Sequence, residues 1–419
     1  VRTPWSRGAL YPGVGELEQR ARALAVAAPG VLRMRVAGRS RAGRPLWLLS
    51  AGHGERRFLT VAGAHANEPV GGASVLRLAR LLAHRPQVLQ RLDCTWHFLL
   101  CLDPDGARLA HGWQPEEPAP SLEECHRHFY RPEFACQPES PPAPGTGRAP
   151  LPESATLLRL LDELRPTAQF TLHGIEVGGA FTMQTRDVPG AARAFRETAA
   201  RLRIPLDDRP GDGPDWQPHP PGVLRLTDGG TVSERDPSGF VAESTWLHPR
   251  RYGTLTALVE TPAWAVPAVS DPRPSPDPRR EIAQAAELLL TRTGELKALL
   301  GGAPADGVPE DLLPLRTAAR ELLDVAPSIA AGWAGERAGS RGHFATLAVA
   351  ARRIPLRAAA MMRRALSTTA PGTADALTDL VREWCRELDK TYEPRWIPVS
   401  AQTALHLRTM LDLADRLSG

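Results

Sequence analysis

Phe58-Leu59-Thr60-Val61-Ala62-Gly63-Ala64-His65-Ala66-Asn67-Glu68-Pro69 sets an apolar run directly against an imidazole and a carboxylate three residues apart. If the apolar run is a strand and the chain turns tightly at its C-terminal end, both side chains can reach one cation. Nitrogen plus carboxylate oxygen is a donor set that Zn²⁺ accepts readily. The same spacing also arises as a solvated helix pair, so its weight depends on what else the chain brings to this place.

Outward from that stretch, short apolar runs alternate with helical patterns over the first 265 residues or so. Residues 15–28 carry the spacing of an amphipathic helix, and strands are expected at 31–38, 45–52 and 58–63. A helix follows at about 71–83, a strand at 94–102, a helix at 153–164, and a strand at 168–174. A last strand, Thr254 to Pro262, is expected to end at Glu260. This alternation predicts an α/β fold with a mixed, largely parallel sheet flanked by helices. Active sites of open α/β sheets form at strand ends, where three polar constellations fall here. Two Pro-rich stretches, about 113–152 and 207–222, are long enough to be functional loops lining a cleft or plain surface insertions.

The Pro-punctuated segment 271–280 reads as a linker between an N-terminal domain, 1–270, and a helical region, 281–419. Five stretches beyond it repeat apolar residues near a 3.6-residue period, which predicts a helical bundle. It could cap the cleft, support the sheet, or form a homo-oligomer. A chain of 419 residues is long enough for two domains.

Hydrophobic residues at 42% and charged residues at 23% describe a globular chain. The net charge of +4 is spread over scattered arginines with no basic stripe, which argues against a nucleic-acid partner. No apolar stretch reaches the length of a membrane span, and the first residues lack the order of a signal peptide, so a cytoplasmic chain with no membrane partner is expected. The five cysteines, irregularly spaced, fit reduced thiols, with Cys125 and Cys136 close enough to pair under oxidising conditions.

A hydrolytic zinc site needs three protein ligands and an open position. Of the twelve histidines, His173 alone combines an apolar, strand-like approach with a following glycine that allows close backbone packing. A hydrogen-bonded core histidine is the alternative. Proton transfer needs a carboxylate in a desolvated place, and Glu260, after Leu255-Thr256-Ala257-Leu258-Val259, fits that description.

The order of these elements resembles the zinc carboxypeptidases, the M14 or funnelin metallopeptidases, over about residues 10–265. Gly38 to Pro45 is similar to their G-x-S-x-x-G-R-P hairpin, and Gly63 to Pro69 to their G-x-H-x-x-E-P loop. Asp103-Pro104-Asp105-Gly106 resembles N-P-D-G, and His126-Arg127-His128-Phe129 resembles N-R-N-F. Pro152-Glu153, Thr171-Leu172-His173 and Val259-Glu260-Thr261-Pro262 complete the series. The resemblance implies one Zn²⁺ held by His65, Glu68 and His173. It further implies Glu260 as the base that takes a proton from the attacking water and passes it to the leaving nitrogen. Arg127 would hold a substrate carboxylate, with the two parallel donors a guanidinium offers.

Three departures accompany the resemblance. His126 stands where the family has Asn beside that Arg and, with Arg127 and Arg108, is a candidate for binding substrate. The second Arg expected after N-P-D-G is missing, which leaves Arg108 or His111 as substitutes. The family's tyrosine upstream of the base is also missing, and the nearest, Tyr252, is expected to be structural. Glu243, Thr245 and Arg250 are candidates for lining the substrate pocket. The expected function is cleavage of an amide bond next to a carboxylate-bearing residue of a peptide. Deacylation of a small N-acyl amino acid is the alternative, and a catalytically silent relative that binds a peptide or a partner protein is the alternative of another class.

Overall fold

The computed structural model describes residues 11–110, 119–141, 149–210, 217–218, 221–225, 244–302, 307–335 and 339–419. His111 and Glu243 lie outside the described residues. In chain order the first half contains α1 (Val14–Ala27), β1 (Leu32–Arg39), β2 (Pro45–Ala51), β3 (Arg56–Val61), α2 (Val70–His84), α3 (Gln87–Leu92) and β4 (Cys94–Leu99). Then come α4 (Pro104–Leu109), α5 (Leu122–Arg127), α6 (Pro152–Leu164), β5 (Ala168–Gly178), β6 (Phe181–Gln184), α7 (Ala191–Leu202), β7 (Gln217–Pro218), β8 (Val223–Arg225) and β9 (Leu255–Ala265). The remainder is α8 (Pro278–Leu300), α9 (Leu313–Trp333), α10 (Arg341–Ala365), α11 (Pro371–Tyr392), β10 (Arg395–Trp396) and α12 (Val399–Ser418).

The described strands form one sheet in the order β1-β2-β4-β3-β5-β9-β6-β8-β7, with β10 added to β9. Its centre, β4-β3-β5-β9, is parallel, as is the β6–β8 pair, while β1–β2, β2–β4, β9–β6 and β8–β7 are antiparallel. The fold is therefore the expected mixed α/β sheet followed by a largely helical region. One face of the sheet, with Phe58, Phe98 and Phe170, packs under α1, α2, α3, α7 and α12. The other, with Leu46, Leu59 and Val61, packs under Leu157, Leu160 and Leu161 of α6. Alternation of Phe58 and Leu59 between these faces follows from the two-residue strand period.

Two strands run further than their sequence suggested. β9 passes through Glu260 to Ala265 and is buried along its whole length, and β5 passes through His173 to Gly178. Polar residues inside an otherwise apolar strand look like its end in sequence. The partner strand decides otherwise, because pairing of β5 with β9 continues from Ala168–Leu255 to Gly178–Ala265. β6, α7, β7 and β8 complete the sheet edge and were not legible as separate elements.

The helices α8–α11 share a core with the outer ends of β5 and β9, through Val177, Ala263, Trp264 and Val266. α12 differs, because Leu405, Leu407, Met410 and Leu413 pack in the same core as β3 and α2. A boundary at 271–280 therefore separates α8–α11 at most, and α12 is a layer of the sheet. All five cysteines stand as free thiols. No helix among the described residues is long and apolar enough to cross a membrane.

Candidate metal centre

The metal loop leaves β3 through Gly63, whose φ of +60° is in the left-handed region, and a Cβ there would lie 2.7 Å from Cys101 Sγ. Glycine is required on both counts. The carbonyl of Gly63 accepts from Asp103 N at 2.8 Å, and the carbonyl of His65 accepts from Glu68 N at 3.1 Å, closing the turn. This turn puts the two side chains on one side. His173 arrives from β5, where Gly174 admits Val70, whose Cγ1 would lie 2.7 Å from any added Cβ.

His65 Nδ1 lies 2.9 Å from Glu68 Oε1, His173 Nδ1 lies 2.8 Å from Glu68 Oε2, and the two Nδ1 atoms are 3.1 Å apart. All three side chains are buried. Zinc at about 2.0–2.1 Å from tetrahedral ligands spaces them about 3.3 Å apart, close to the 3.1 Å between the two nitrogens, each of which has one Glu68 oxygen beside it. The donor chemistry also fits a cation. Despite burial, the charges of His65 and His173 hold the Glu68 carboxyl well below its usual range. His65 is pushed down by burial and by Arg131, while Glu139 and Glu68 raise His173 well above the ordinary imidazole value against the effect of burial.

A shell behind the ligands fixes which nitrogen is free. Thr171 Oγ donates to Glu139 Oε1 at 2.5 Å and lies 2.8 Å from His173 Nε2, and Glu139 Oε2 is 3.2 Å from the same nitrogen. The Thr171 hydroxyl has one hydrogen and gives it to Glu139, so it accepts from Nε2–H. Loss of the proton on Nδ1 to a bound cation would then leave that lone pair directed at the centre, the arrangement by which outer carboxylates orient metal-ligating histidines. Glu139 is fully buried, and its carbonyl accepts from Thr245 N at 2.9 Å. From the opposite face, His406 of α12 lies with Nε2 3.1 Å from the His173 carbonyl and Nδ1 2.9 Å from Ser74 Oγ. Burial pushes His406 down to about 3, so it is neutral, and the carbonyl fixes the proton on Nε2.

The other expected site residues are placed as follows. Glu260, 8% exposed, pairs with His173 in the β5–β9 register. Directly opposed residues on adjacent strands project from one face, about 4.8 Å apart along the hydrogen-bonding direction. His126 is a correction: it is completely buried, with Nδ1 2.8 Å from the Leu122 carbonyl, and offers nothing to a cleft. Arg127 ends α5 with an exposed side chain, and Arg108 is exposed on α4. The guanidinium lying against the cluster is Arg131's, 3.1 Å from Glu68 Oε1, 3.3 Å from His65 Nε2 and 3.4 Å from Gln137 Oε1. Tyr252 donates to Asp162 Oδ1 at 2.9 Å and packs under Arg165, a structural role. Thr245 is buried beside Glu139, and Arg250 is exposed.

The hairpin, D-P-D-G and P-E landmarks form one polar network beside this loop. Asp105 accepts from Ser40 Oγ at 2.8 Å, Ala42 N at 2.9 Å and Arg44 at 2.6 Å, and Glu153 accepts from Arg41 N at 2.9 Å. Their part is scaffolding: they lock β1–β2 hairpin, α4 and α6 together around the turn from Gly63. Glu139 and Arg131 were missed in sequence. Neither belongs to a periodic pattern, and the only signal was the length of the Pro-rich stretch that carries Glu139.

Residues 17–128 match the sequence profile of the zinc carboxypeptidases, M14 peptidases. No curated protein matches the chain. Among solved structures, a protein of Shewanella amazonensis SB2B assigned as a metallopeptidase is similar at 16% identity and a TM-score of 0.41, covering 59% of this chain and 84% of that one. A metallo-carboxypeptidase from Burkholderia cenocepacia is similar at 17% identity and 0.38, covering 58% and 60%. Residues 17–128 are zinc-carboxypeptidase-like, and the cluster of His65 and Glu68 with His173, which lies beyond the matched stretch, matches a site for a single zinc ion.

Proposed function

We propose that the chain is a zinc-dependent hydrolase that cleaves an amide bond next to a carboxylate-bearing residue of a peptide. The observation that carries this is the convergence of the His65 and His173 Nδ1 atoms, 3.1 Å apart, on the two carboxylate oxygens of Glu68, 2.9 and 2.8 Å away, with Glu260 paired beside the third ligand. Zinc in such a site acidifies water to a pKa of about 7 and polarises a carbonyl. Glu260 takes the proton from the attacking water and delivers it to the leaving nitrogen.

Arg131, in place of Arg127, is assigned the substrate carboxylate. A guanidinium only donates, so its contact with His65 Nε2 requires the imidazole proton to sit on Nδ1. A cation held through Nδ1 would place that proton on Nε2, where it would oppose the contact, and its charge at Glu68 would act in the same direction. The fork would then be available to a substrate carboxylate, its best partner. Arg108 and Arg127 are exposed and can add long-range attraction for an anionic substrate.

Elemental analysis of protein purified without chelator should give one zinc per chain. Peptides with free C-termini should then be cleaved and their amides spared. Preference for small N-acyl amino acids would move the assignment to a deacylase built on the same carboxylate contact. Zinc well below one per chain with no amide hydrolysis would leave a binding protein. Oligomer formation through α8–α11 is a further proposal, checked by light scattering.

A further inference from the structure

Glu176 lies three residues past His173 on β5 and is 4% exposed. One of its oxygens, Oε1, accepts from Asn67 Nδ2 at 2.9 Å, and the other, Oε2, accepts from Arg357 of α10 at 2.5 Å. Asn67 stands between the ligands His65 and Glu68. A single carboxylate therefore joins the metal loop to the helical region, 290 residues further along the chain by the numbering of Asn67 and Arg357 (357 − 67 = 290).

Two further contacts make this junction specific. The Arg357 guanidinium lies 5.4 Å from the centroid of Phe129, which lines a cavity with His65, Asn67 and Glu68. Arg353, one turn earlier on α10, donates to the Val177 carbonyl at 3.5 Å, next to Glu176. The charges of Arg357 and Arg353 keep the Glu176 carboxyl below its usual range against the effect of burial. Glu176 is thus an ionised, fixed acceptor, and the half-buried Asn67 amide is held by it.

We infer that Arg357 is a positioning residue for metal binding: through Glu176 and Asn67 it holds the loop carrying His65 and Glu68 in ligating geometry. The helical region then contributes to the zinc site without supplying a ligand. This rests on the zinc reading above. Hydrogen bonds behind metal ligands characteristically set affinity by about 10- to 100-fold, and a loop without regular structure depends on such anchors to keep two ligands in register.

The test is a double-mutant cycle read by zinc affinity in a competition titration with a chromogenic chelator, and by the visible absorption spectrum of the Co²⁺-loaded protein. Arg357→Met and Asn67→Ala should each weaken zinc binding about tenfold or more and shift the cobalt bands. Because both act through Glu176, the double variant should lose little more than the worse single one, whereas independent structural effects would add. Thermal melting by circular dichroism identifies folded variants. If Arg357→Met fails to fold, Arg357→Lys, which keeps the charge without the fork, takes its place in the cycle and is read in the same way.

Unchanged zinc affinity in the folded Arg357 variant, or losses that add, would overturn the proposal. Wild-type protein that binds no zinc at all would instead remove the reading beneath it. One zinc per wild-type chain, with variants unaffected, removes only the relay.

Discussion

His173 on β5 and Glu260 on β9 stand directly opposite each other in a parallel pair, so the third metal ligand and the proposed base project from the same face of one rigid sheet. Neither sits on a loop. Both strands continue beyond the pair, which fixes the separation by backbone hydrogen bonds on either side. Preorganisation of this kind is what general-base catalysis needs, because the carboxylate must be in place before the water loses its proton. Glu260→Gln should keep one zinc per chain while turnover falls about 10²- to 10⁴-fold. His65→Ala should lose the metal and the activity together. Near-normal turnover in Glu260→Gln would place the base elsewhere.

Arg131 offers a test of substrate recognition. Its guanidinium rests on Glu68 and His65, 3.1 and 3.3 Å away, contacts that ligation of a cation by those two residues would oppose. A charge-assisted pair with a substrate carboxylate contributes about 1.5–3 kcal/mol, so Arg131→Ala should raise KM for carboxylate-bearing substrates about 10- to 150-fold. Zinc content should be unchanged. Equal KM values in wild type and variant would exclude Arg131, and the same experiment on Arg127→Ala would then become decisive.

The sequence carried the ligands and the sheet but not the second half of the site, for identifiable physical reasons. His65 and Glu68 are local to one turn, and His173 is announced by the apolar strand before it. Their recognition needs only short-range pattern. Arg131, Glu139 and Glu176 acquire their roles through contacts across 63, 34 and 109 residues, counted as 131 − 68, 173 − 139 and 176 − 67. No local pattern encodes such pairings. Arg127 shows the limit of a motif: its neighbours match, and α5, opened by a Ser121–Glu124 capping box, ends with Arg127 exposed, which leaves its part in binding to experiment. α12 was read as one more bundle helix, because an amphipathic period shows that a face is buried without showing against what.

Glu139 should act on zinc affinity through the tautomer of His173. With Thr171 it holds the proton on Nε2, at 2.8 Å from Thr171 Oγ and 3.2 Å from Glu139 Oε2. Glu139→Gln preserves shape but removes the charge that favours this arrangement. Zinc affinity measured by chelator competition should fall about 10- to 100-fold. The loss should be largest at alkaline pH and shrink toward acid pH, because removing the Glu139 charge also weakens the hold of His173 on the proton that competes for Nδ1. An unaltered Kd across pH 6–8 would show that Thr171 suffices.

Far from the metal, His97 provides a stability prediction with a definite sign. It lies on β4, 8% exposed, with Nδ1 2.8 Å from Ser50 Oγ. Burial, followed by the charges of Arg33, Arg35 and Arg57, pushes its pKa down to about 4. The unfolded chain binds the proton near 6.5, so between pH 6.5 and 4 the unfolded state holds one more proton than the folded state at this position. The contribution is complete above pH 6.5 and is lost as the pH falls toward 4. At about 1.4 kcal/mol per unit, the loss over this window is about 3 kcal/mol. His97→Gln removes the titration and keeps a polar partner for Ser50. Urea unfolding of the metal-free chain at pH 7, 6, 5 and 4 should therefore show wild type losing more stability than the variant, by about that amount. Aspartates with raised values, such as Asp207 at about 7, titrate with the opposite sign but equally in both proteins, and they cancel in the difference. Parallel curves would mean that His97 is protonated in the folded chain, and that the arginines around it are too well solvated to matter.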